Sequence, residues 1–169
     1  MAVHQWPILG FATLPDPAGA AYFEPAALNL QSNDRFPHLV AVFPDTANRE
    51  KLGGTFRVPQ NYVGTPKIGL VWATTATVGN ARWEFDYKAI ADGESSDPSA
   101  DDETVGSTVA APGTARLEKI TEIALTGANF SPGDEVQFVI ARDGAEAGPA
   151  DTIAASVYLK AAYFSFADA

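Results

Sequence analysis

The amino-acid sequence predicts an all-β protein, an eight-stranded antiparallel jelly-roll-like sandwich with an extended, proline-rich N-terminal arm. Two features predict it. Short apolar runs recur at near-regular spacing from His38 onward, and clusters of Gly, Pro, Asn and Asp separate them. Several runs alternate apolar and polar residues, as expected for strands with one buried face. Many short strands without helical patterns between them are typical of sandwiches and barrels.

The arm is predicted to span residues 1–35, and the jelly-roll domain residues 36–169. Prolines at 7, 15, 17 and 25 interrupt every short apolar run of the arm, so long regular elements are not expected there. The segment is nevertheless too apolar for a solvated linker. Two arrangements fit this composition: an extended segment lying over its own domain, or an arm packed on a neighbouring subunit.

Eight strands are predicted after the arm, and eight is the strand number of a jelly roll. Their approximate ranges are 38–43, 51–58, 67–74, 80–90, 103–110, 117–125, 134–142 and 154–166. The segment around 115–125 is ambiguous, because Leu117, Ile120 and Ile123 are three apart and also fit a short helix leading into a strand. The last run is expected to be built into a sheet.

The stretch from Lys67 to Ile90 is predicted to be the centre of the fold, as an antiparallel pair of strands joined at Gly79-Asn80. Its second strand alternates cleanly. One face carries Trp83, Phe85, Tyr87 and Ala89, and the other carries Arg82, Glu84, Asp86 and Lys88. Such an aromatic face needs a second layer to cover it. Within 51–58, the Gly53-Gly54 pair indicates a bulge or a close backbone approach.

Composition limits the classes of function. A chain of 169 residues is expected to form one domain with a sizeable core. The formal charge of -10 disfavours a nucleic-acid partner, which requires clustered Lys and Arg, and no apolar run is long enough to span a bilayer. The absence of cysteine excludes disulfides and thiolate metal sites.

Two acidic loops are candidate calcium sites, with a mobile, solvated loop as the alternative in each case. The first spans 92–103 and contains Asp92, Glu94, Asp97, Asp101, Asp102 and Glu103. The second contains Asp143, Glu146 and Asp151. Neither spacing matches a 12-residue EF-hand loop, so no metal residue is predicted.

No catalytic or cofactor-binding residue is predicted, and we expect no enzymatic activity and no cofactor. Glu84 and Asp86 share a strand face, but their alternation with Arg82 and Lys88 favours a charge-balanced solvent face over a glycosidase pair. His4 and His38 are too few for a zinc site without thiols. No nucleophile elbow or phosphate-binding glycine loop is present.

Aromatic residues and one short motif have two interpretations each. The residues Trp72, Trp83, Tyr87 and Tyr158 fit either core packing or a platform on which a sugar stacks. Core packing is favoured, because they are in phase with Ile, Leu and Phe. Asn129-Phe130-Ser131 fits the acceptor pattern for N-glycosylation, a short pattern that needs a secreted context.

Two stretches, residues 55–74 and 151–164, resemble small virion proteins of tailed bacteriophages. The first contains Phe-Arg-Val-Pro followed by a turn and a strand with the pattern K-x-x-L-x-W, and the second is Asp-Thr-Ile-Ala-Ala-Ser-Val-Tyr-Leu-Lys-Ala-Ala-Tyr-Phe. These motifs are structural, so the resemblance implies no functional residues. It implies a β-sandwich subunit of the virion, assembled in the host cytoplasm.

The resemblance implies a bacteriophage structural protein that decorates or stabilises the capsid. Its expected partners are the major capsid protein or other virion proteins, and a homo-oligomer, with a trimer favoured. Neither nucleic acid nor membrane is an expected partner. The alternative is a receptor- or carbohydrate-binding domain of a phage tail fibre or spike.

Overall fold

The computed structural model describes residues 3–8, 11–13, 21–25, 38–144 and 150–167. The strands, in chain order, are β1 (Val3–Ile8), β2 (Phe11–Thr13), β3 (Tyr22–Pro25), β4 (Leu39–Phe43), β5 (Arg49–Arg57), β6 (Lys67–Thr74), β7 (Asn80–Ile90), β8 (Glu103–Ala110), β9 (Lys119–Ala124), β10 (Glu135–Asp143) and β11 (Val157–Ala167). A 3-10 turn, Gly127–Asn129, follows β9. Within these residues, no helix has the length and apolar character that crossing a membrane requires.

The strands form two antiparallel sheets. The first sheet has the order β3-β4-β11-β6-β9, and β1 also pairs with β11; the second has the order β2-β5-β10-β7-β8. The prediction of an antiparallel jelly-roll-like sandwich is confirmed, and strands β4 to β11 correspond to the eight predicted runs. The ambiguous segment around 115–125 contains the strand β9 rather than a helix.

The described parts of the predicted arm add three strands to the chain's own sheets. Strand β1 pairs with the end of β11, from Val3 opposite Ala167 to Ile8 opposite Ala162. Strands β2 and β3 pair with β5 and β4. Ile8 and Ala21 are buried in the core. The domain boundary at residue 35 and the packing of an arm on a neighbouring subunit stay predictions.

The predicted pairing of the two strands within Lys67–Ile90 is wrong. Strand β6 lies between β11 and β9 in the first sheet, whereas β7 lies between β10 and β8 in the second. The connection crosses from one sheet to the other, so the two apolar faces oppose each other, with the rings of Trp72 and Trp83 6.0 Å apart. Gly79 makes this turn with φ +93°, where a Cβ would lie 2.4 Å from the carbonyl oxygen of Thr152.

The core lies between the sheets and is largely aromatic. The predicted inner face of β7 is confirmed, because Trp83, Phe85, Tyr87 and Ala89 are all buried. The ring of Phe85 stacks against Phe138 of the neighbouring strand β10, with centroids 5.5 Å apart. Fully burying a side chain of this size contributes roughly 1.5–3 kcal/mol, so each ring of this layer stabilises the sandwich.

Gly53-Gly54 does not form the predicted bulge, and among the described strands a register shift lies in β11. Gly53 and Gly54 stay in continuous register with Val139 and Phe138 of β10. In β11 the register shifts between Leu159 and Ala161. The extra residue changes the phase of the inner face, so that Val157 and Leu159 before it and Ala162, Phe164 and Phe166 after it are all buried.

A buried arginine joins three segments at one end of the sandwich. Arg142, on the inner face of β10, is 2% exposed and forms two hydrogen bonds of 2.8 Å with the carboxylate of Asp151. Its remaining N–H groups donate to backbone carbonyl oxygens of Phe43, Pro44, Ile153 and Ala155. The guanidinium therefore ties β10 to the end of β4 and to the segment that precedes β11.

Replacing Arg142 with Met should lower the free energy of unfolding by about 3–5 kcal/mol, because it leaves the buried Asp151 without its cation. Urea denaturation of the purified domain measures this change. The matched control is Asp45→Ala, which removes a half-exposed carboxylate 3.5 Å from the same guanidinium. It should cost less than about 1 kcal/mol. Equal, small losses in both variants would contradict the structural role of Arg142.

Candidate functional site

A shallow cleft crosses the outer face of the second sheet and is the candidate binding site. Its cavity volume is about 360 Å³. We call it the sheet-face cleft. It is lined by Gly53, Gly54 and Thr55 of β5, Gln137, Phe138 and Val139 of β10, Asp86 and Lys88 of β7, and Pro98 and Asp101 of the loop between β7 and β8.

Gly53 and the loop between β7 and β8 give the cleft its depth. Gly53 leaves its position on the outer face of β5 without a side chain, whereas Gly54 has the inward phase of Leu52 and Phe56. The loop forms a wall, because Gln137 Nε2 donates to the carbonyl oxygen of Ser96 at 3.0 Å. At the end of the loop, Lys88 Nζ lies 2.5 Å from the carboxylate of Asp102. Sequence reasoning noted the glycine pair but did not identify the cleft.

The acidic pair beside the cleft is neutralised by Arg49. This side chain crosses β10 from β5, with its Nε 2.7 Å from Glu84 Oε2 and its Nη2 2.6 Å from Asp86 Oδ2. Burial alone would lower the pKa of Arg49, but the hydrogen bonds to Asp86 and Glu84 outweigh it and raise the pKa. The predicted charge balance is confirmed. The face is less exposed than predicted, since the two carboxylate side chains are only 11% and 13% exposed.

The cleft retains polar groups that are free to bind a ligand. The hydroxyl of Thr55 and the carboxylate of Asp101 have no hydrogen-bond partner among the described residues. Val139 and Pro98 add apolar contact surface. By contrast, Lys88 is held by Asp102, which raises the pKa of the amine. Among the described residues, the cleft lining therefore offers a ligand hydrogen-bond donors and acceptors but no unpaired cation.

Three of the six carboxylates of the first acidic loop have protein partners. Asp102 accepts from the backbone N–H of Ala89 as well as from Lys88, and Glu94 accepts from the N–H of Ala91. Glu103 accepts from Tyr87 and Thr126. In the described part of the chain, no three His, Asp or Glu side chains come together as metal ligands.

Two of the three carboxylates of the second acidic cluster are buried. Asp151 is buried, with its side chain 3% exposed, and pairs with Arg142. Asp143 is also buried. Glu146 lies outside the described residues. The sequence signal that could have found this ion pair is the position of Arg142, which has the same phase as Val136, Phe138 and Ile140 on the inner face of β10.

The two histidines belong to the region of the first sheet: His4 lies in β1, and His38 lies beside β4. The His4 ring stacks on Phe166, with centroids 5.3 Å apart and an interplanar angle of 24°. His38 directly precedes β4 and is exposed. They are not part of a metal cluster within the described ranges.

Core packing, rather than a sugar platform, accounts for the aromatic residues selected from the sequence. Trp72, Trp83 and Tyr87 belong to the buried core between the sheets. Tyr158 is 5% exposed and belongs to a second buried cluster with Val40, Val42 and Ala73. None of the four faces solvent.

A hydrogen-bond network occupies the side chain of the predicted glycosylation acceptor. Asn129 Nδ2 donates to the hydroxyl of Tyr87 at 3.0 Å, and that hydroxyl donates to Glu103 Oε2 at 2.6 Å. Burial and the hydrogen bond to Glu103 raise the pKa of Tyr87. The nitrogen that would carry the sugar is therefore already engaged as a hydrogen-bond donor inside the protein.

The sequence matches no family model and no curated protein. Among solved structures, the K2 cleaved adhesin domain of Lys-gingipain is similar, with a TM-score of 0.51, 8% identity, and coverage of 92% of this chain and 89% of that chain. The CBM22-1 xylan-binding domain from Paenibacillus barcinonensis Xyn10C gives a TM-score of 0.50 and 10% identity, covering 99% of this chain and 94% of that one. At such identities the similarity establishes the sandwich fold alone.

Replacing Tyr87 with Phe should make the unfolding free energy less sensitive to acid. Burial would raise the pKa of Glu103, but hydrogen bonds from Tyr87 and Thr126 outweigh it and lower the pKa below 4.5. This carboxylate therefore stabilises the fold above pH 4.5, and the contribution is lost as pH falls through the lower folded-state pKa. Tyr87→Phe should cost about 1 kcal/mol near neutral pH and less in acid, measured by urea denaturation.

Tyr62→Phe is the matched control for this pH dependence. The Tyr62 hydroxyl donates to the neutral carbonyl oxygen of Gly127 at 3.1 Å. The decrease in unfolding free energy caused by Tyr62→Phe should therefore be the same in neutral and acidic solution. A loss in Tyr87→Phe that is equally independent of pH would show that Glu103 does not depend on the tyrosine.

Proposed function

We propose that this protein is a non-catalytic carbohydrate-binding domain that holds a glycan in the sheet-face cleft. The observation that carries the proposal is the cleft itself. It combines a glycine floor, short apolar side chains and unpartnered polar groups on the face of a rigid sheet. Small-molecule sites typically combine apolar surface with a few positioned polar groups.

The chemistry of the cleft fits an uncharged sugar. Hydroxyl groups of a sugar both donate and accept hydrogen bonds, and Thr55, Asp101 and Gln137 supply complementary groups. The cations at the cleft, Lys88 and Arg49, are already paired with carboxylates. A glycan carrying carboxylate or sulfate groups would meet the unpaired Asp101 without a free cation to offset it.

Binding without catalysis is supported by the state of the carboxylates. A glycosidase needs one carboxylic acid with a raised pKa and a second carboxylate across the bond that is cleaved. Glu84 and Asp86 lie on the same strand and share one arginine. The fold adds support, because one structurally similar protein is a xylan-binding domain.

The resemblance of residues 55–74 and 151–164 to virion proteins suggests the setting in which this binding takes place. We propose a receptor- or carbohydrate-binding domain of a tail fibre or spike. The second candidate is a capsid decoration protein whose partner is the major capsid protein or further copies of this chain. The resemblance to virion proteins supports this candidate as well. Counting copies in purified virions separates them, since decoration proteins are present in hundreds of copies and fibre tips in few.

The double variant Thr55→Ala/Asp101→Ala should bind glycans about 30-fold more weakly, because it removes two hydrogen-bonding groups worth about 1 kcal/mol each. The measurement is a screen of the intact protein against uncharged and acidic glycans, followed by calorimetric titration with the best ligand. The matched control is Thr114→Ala/Asp92→Ala, which makes the same substitutions at exposed positions outside the cleft lining.

Three outcomes would contradict the proposal. The first is the absence of binding to every glycan in the screen. The second is equal affinity of the cleft variant and the wild type for the best ligand. The third is release of a reducing end from a bound glycan, which would show catalysis.

A further inference from the structure

We infer that a second sugar-binding surface lies on the opposite side of the molecule, where the ring of Tyr163 lies flat on the outer face of the first sheet. Gly69 of β6 is directly opposite Tyr163 of β11. A Cβ at position 69 would lie 2.1 Å from Cζ of Tyr163 and 2.3 and 2.5 Å from its two Cε atoms. Near-equal approach to three ring atoms means that the glycine supports the face of the ring and not its edge.

The flat ring has one face on the sheet and the other directed outward. A side chain larger than hydrogen at position 69 would tilt the ring away from the sheet. Tyr163 is half-buried, and burial together with the nearby carboxylate of Glu122 raises the pKa of its hydroxyl, so the phenol stays neutral. A neutral, flat aromatic face is the surface on which the apolar C–H face of a sugar ring packs.

Polar groups surround one edge of this ring. Tyr163 donates to Glu122 Oε1 at 3.3 Å, and Lys67 Nζ lies 2.8 Å from Glu122 Oε2. Because the amine and the carboxylate neutralise each other, the rim offers hydrogen bonds without a net charge. Glu122 and Lys67 also line a pocket of about 220 Å³, so the carboxylate that holds the Tyr163 hydroxyl borders a concave surface.

Together these features fit one neutral pyranose ring, stacked on Tyr163 with its hydroxyl groups directed to Lys67 and Glu122. The class of ligand rests on the proposed carbohydrate-binding function, but the residues are entirely separate from the sheet-face cleft. Two sites on opposite faces would allow one molecule to bridge two glycan chains. Bridging raises the avidity for a dense glycan surface without a new contact.

The test is a two-dimensional NMR titration of the intact protein with methyl glycosides of glucose, galactose, xylose and N-acetylglucosamine. Concentrations on the order of 10 mM reach saturation for a dissociation constant near 1 mM, which is typical of a single weak contact surface. We expect saturable shifts of the amides of Lys67, Gly69 and Glu122 with at least one glycoside. Nuclear Overhauser contacts should join the C–H protons of that glycoside to the ring protons of Tyr163.

Two variants distinguish stacking of the sugar on an aromatic ring from contact with any apolar side chain that covers Gly69. Tyr163→Phe keeps the ring and should keep the shifts. Tyr163→Leu covers Gly69 with apolar atoms but has no ring, so it should weaken binding at this site about 5-fold or more. Thr55→Ala/Asp101→Ala should leave this site unchanged.

The inference is overturned by unchanged affinity of Tyr163→Leu, or by the absence of saturable shifts around Gly69 in the wild type. Should Tyr163→Leu not fold, the Overhauser contacts in the wild type decide alone, and their absence at saturation overturns the inference. Failure of the proposed function would be a different result: none of the glycans would shift the amide signals of Gly53 and Val139 in the sheet-face cleft.

Discussion

The buried guanidinium of Arg142 is the interaction on which the rest of this sandwich depends. An unpaired charge in the interior is very costly, so the side chain is tolerated only because Asp151 and four backbone carbonyl oxygens surround it. Those partners belong to separate parts of the chain. The arginine therefore fixes where β4 ends and how the chain enters β11, the strand at the centre of the first sheet.

That anchor lies beside an aromatic layer whose two halves come from opposite sheets. Because the chain crosses between sheets after β6, Trp72 and Trp83 meet across the interior, and Phe43 packs edge-on against Trp83 at 5.1 Å. Among the described residues, the indole N–H of Trp83 is a buried donor without an acceptor. Leaving it unpaired costs about 1–3 kcal/mol, and the area buried by the ring offsets that cost.

Short apolar runs and the turn residues between them located the eight strands from β4 to β11, because both are local properties of the chain. Strand partners are not local, so the pairing of β6 with β7 was predicted wrongly. The short strands β1–β3 lie among prolines that obscure any period. The cleft was missed for a related reason: Gly53, Gln137 and Lys88 come together only once β5, β10 and β7 are neighbours. Arg142 lies at a position where the alternation of β10 predicts an apolar residue. Its partner Asp151 could be identified only from the three-dimensional structure.

Arg49 and Ala141 show how a long side chain limits the size of a residue that is far away in the sequence but close in space. To reach Glu84 and Asp86, the arginine must pass over β10, and Ala141 lies opposite Glu84 on that strand with no exposed surface. A bulkier residue there would displace the guanidinium and leave both acids without a counterion. Across evolution, arginine at position 49 and a small residue at position 141 should therefore be inherited together, and lineages that lose one should lose the other.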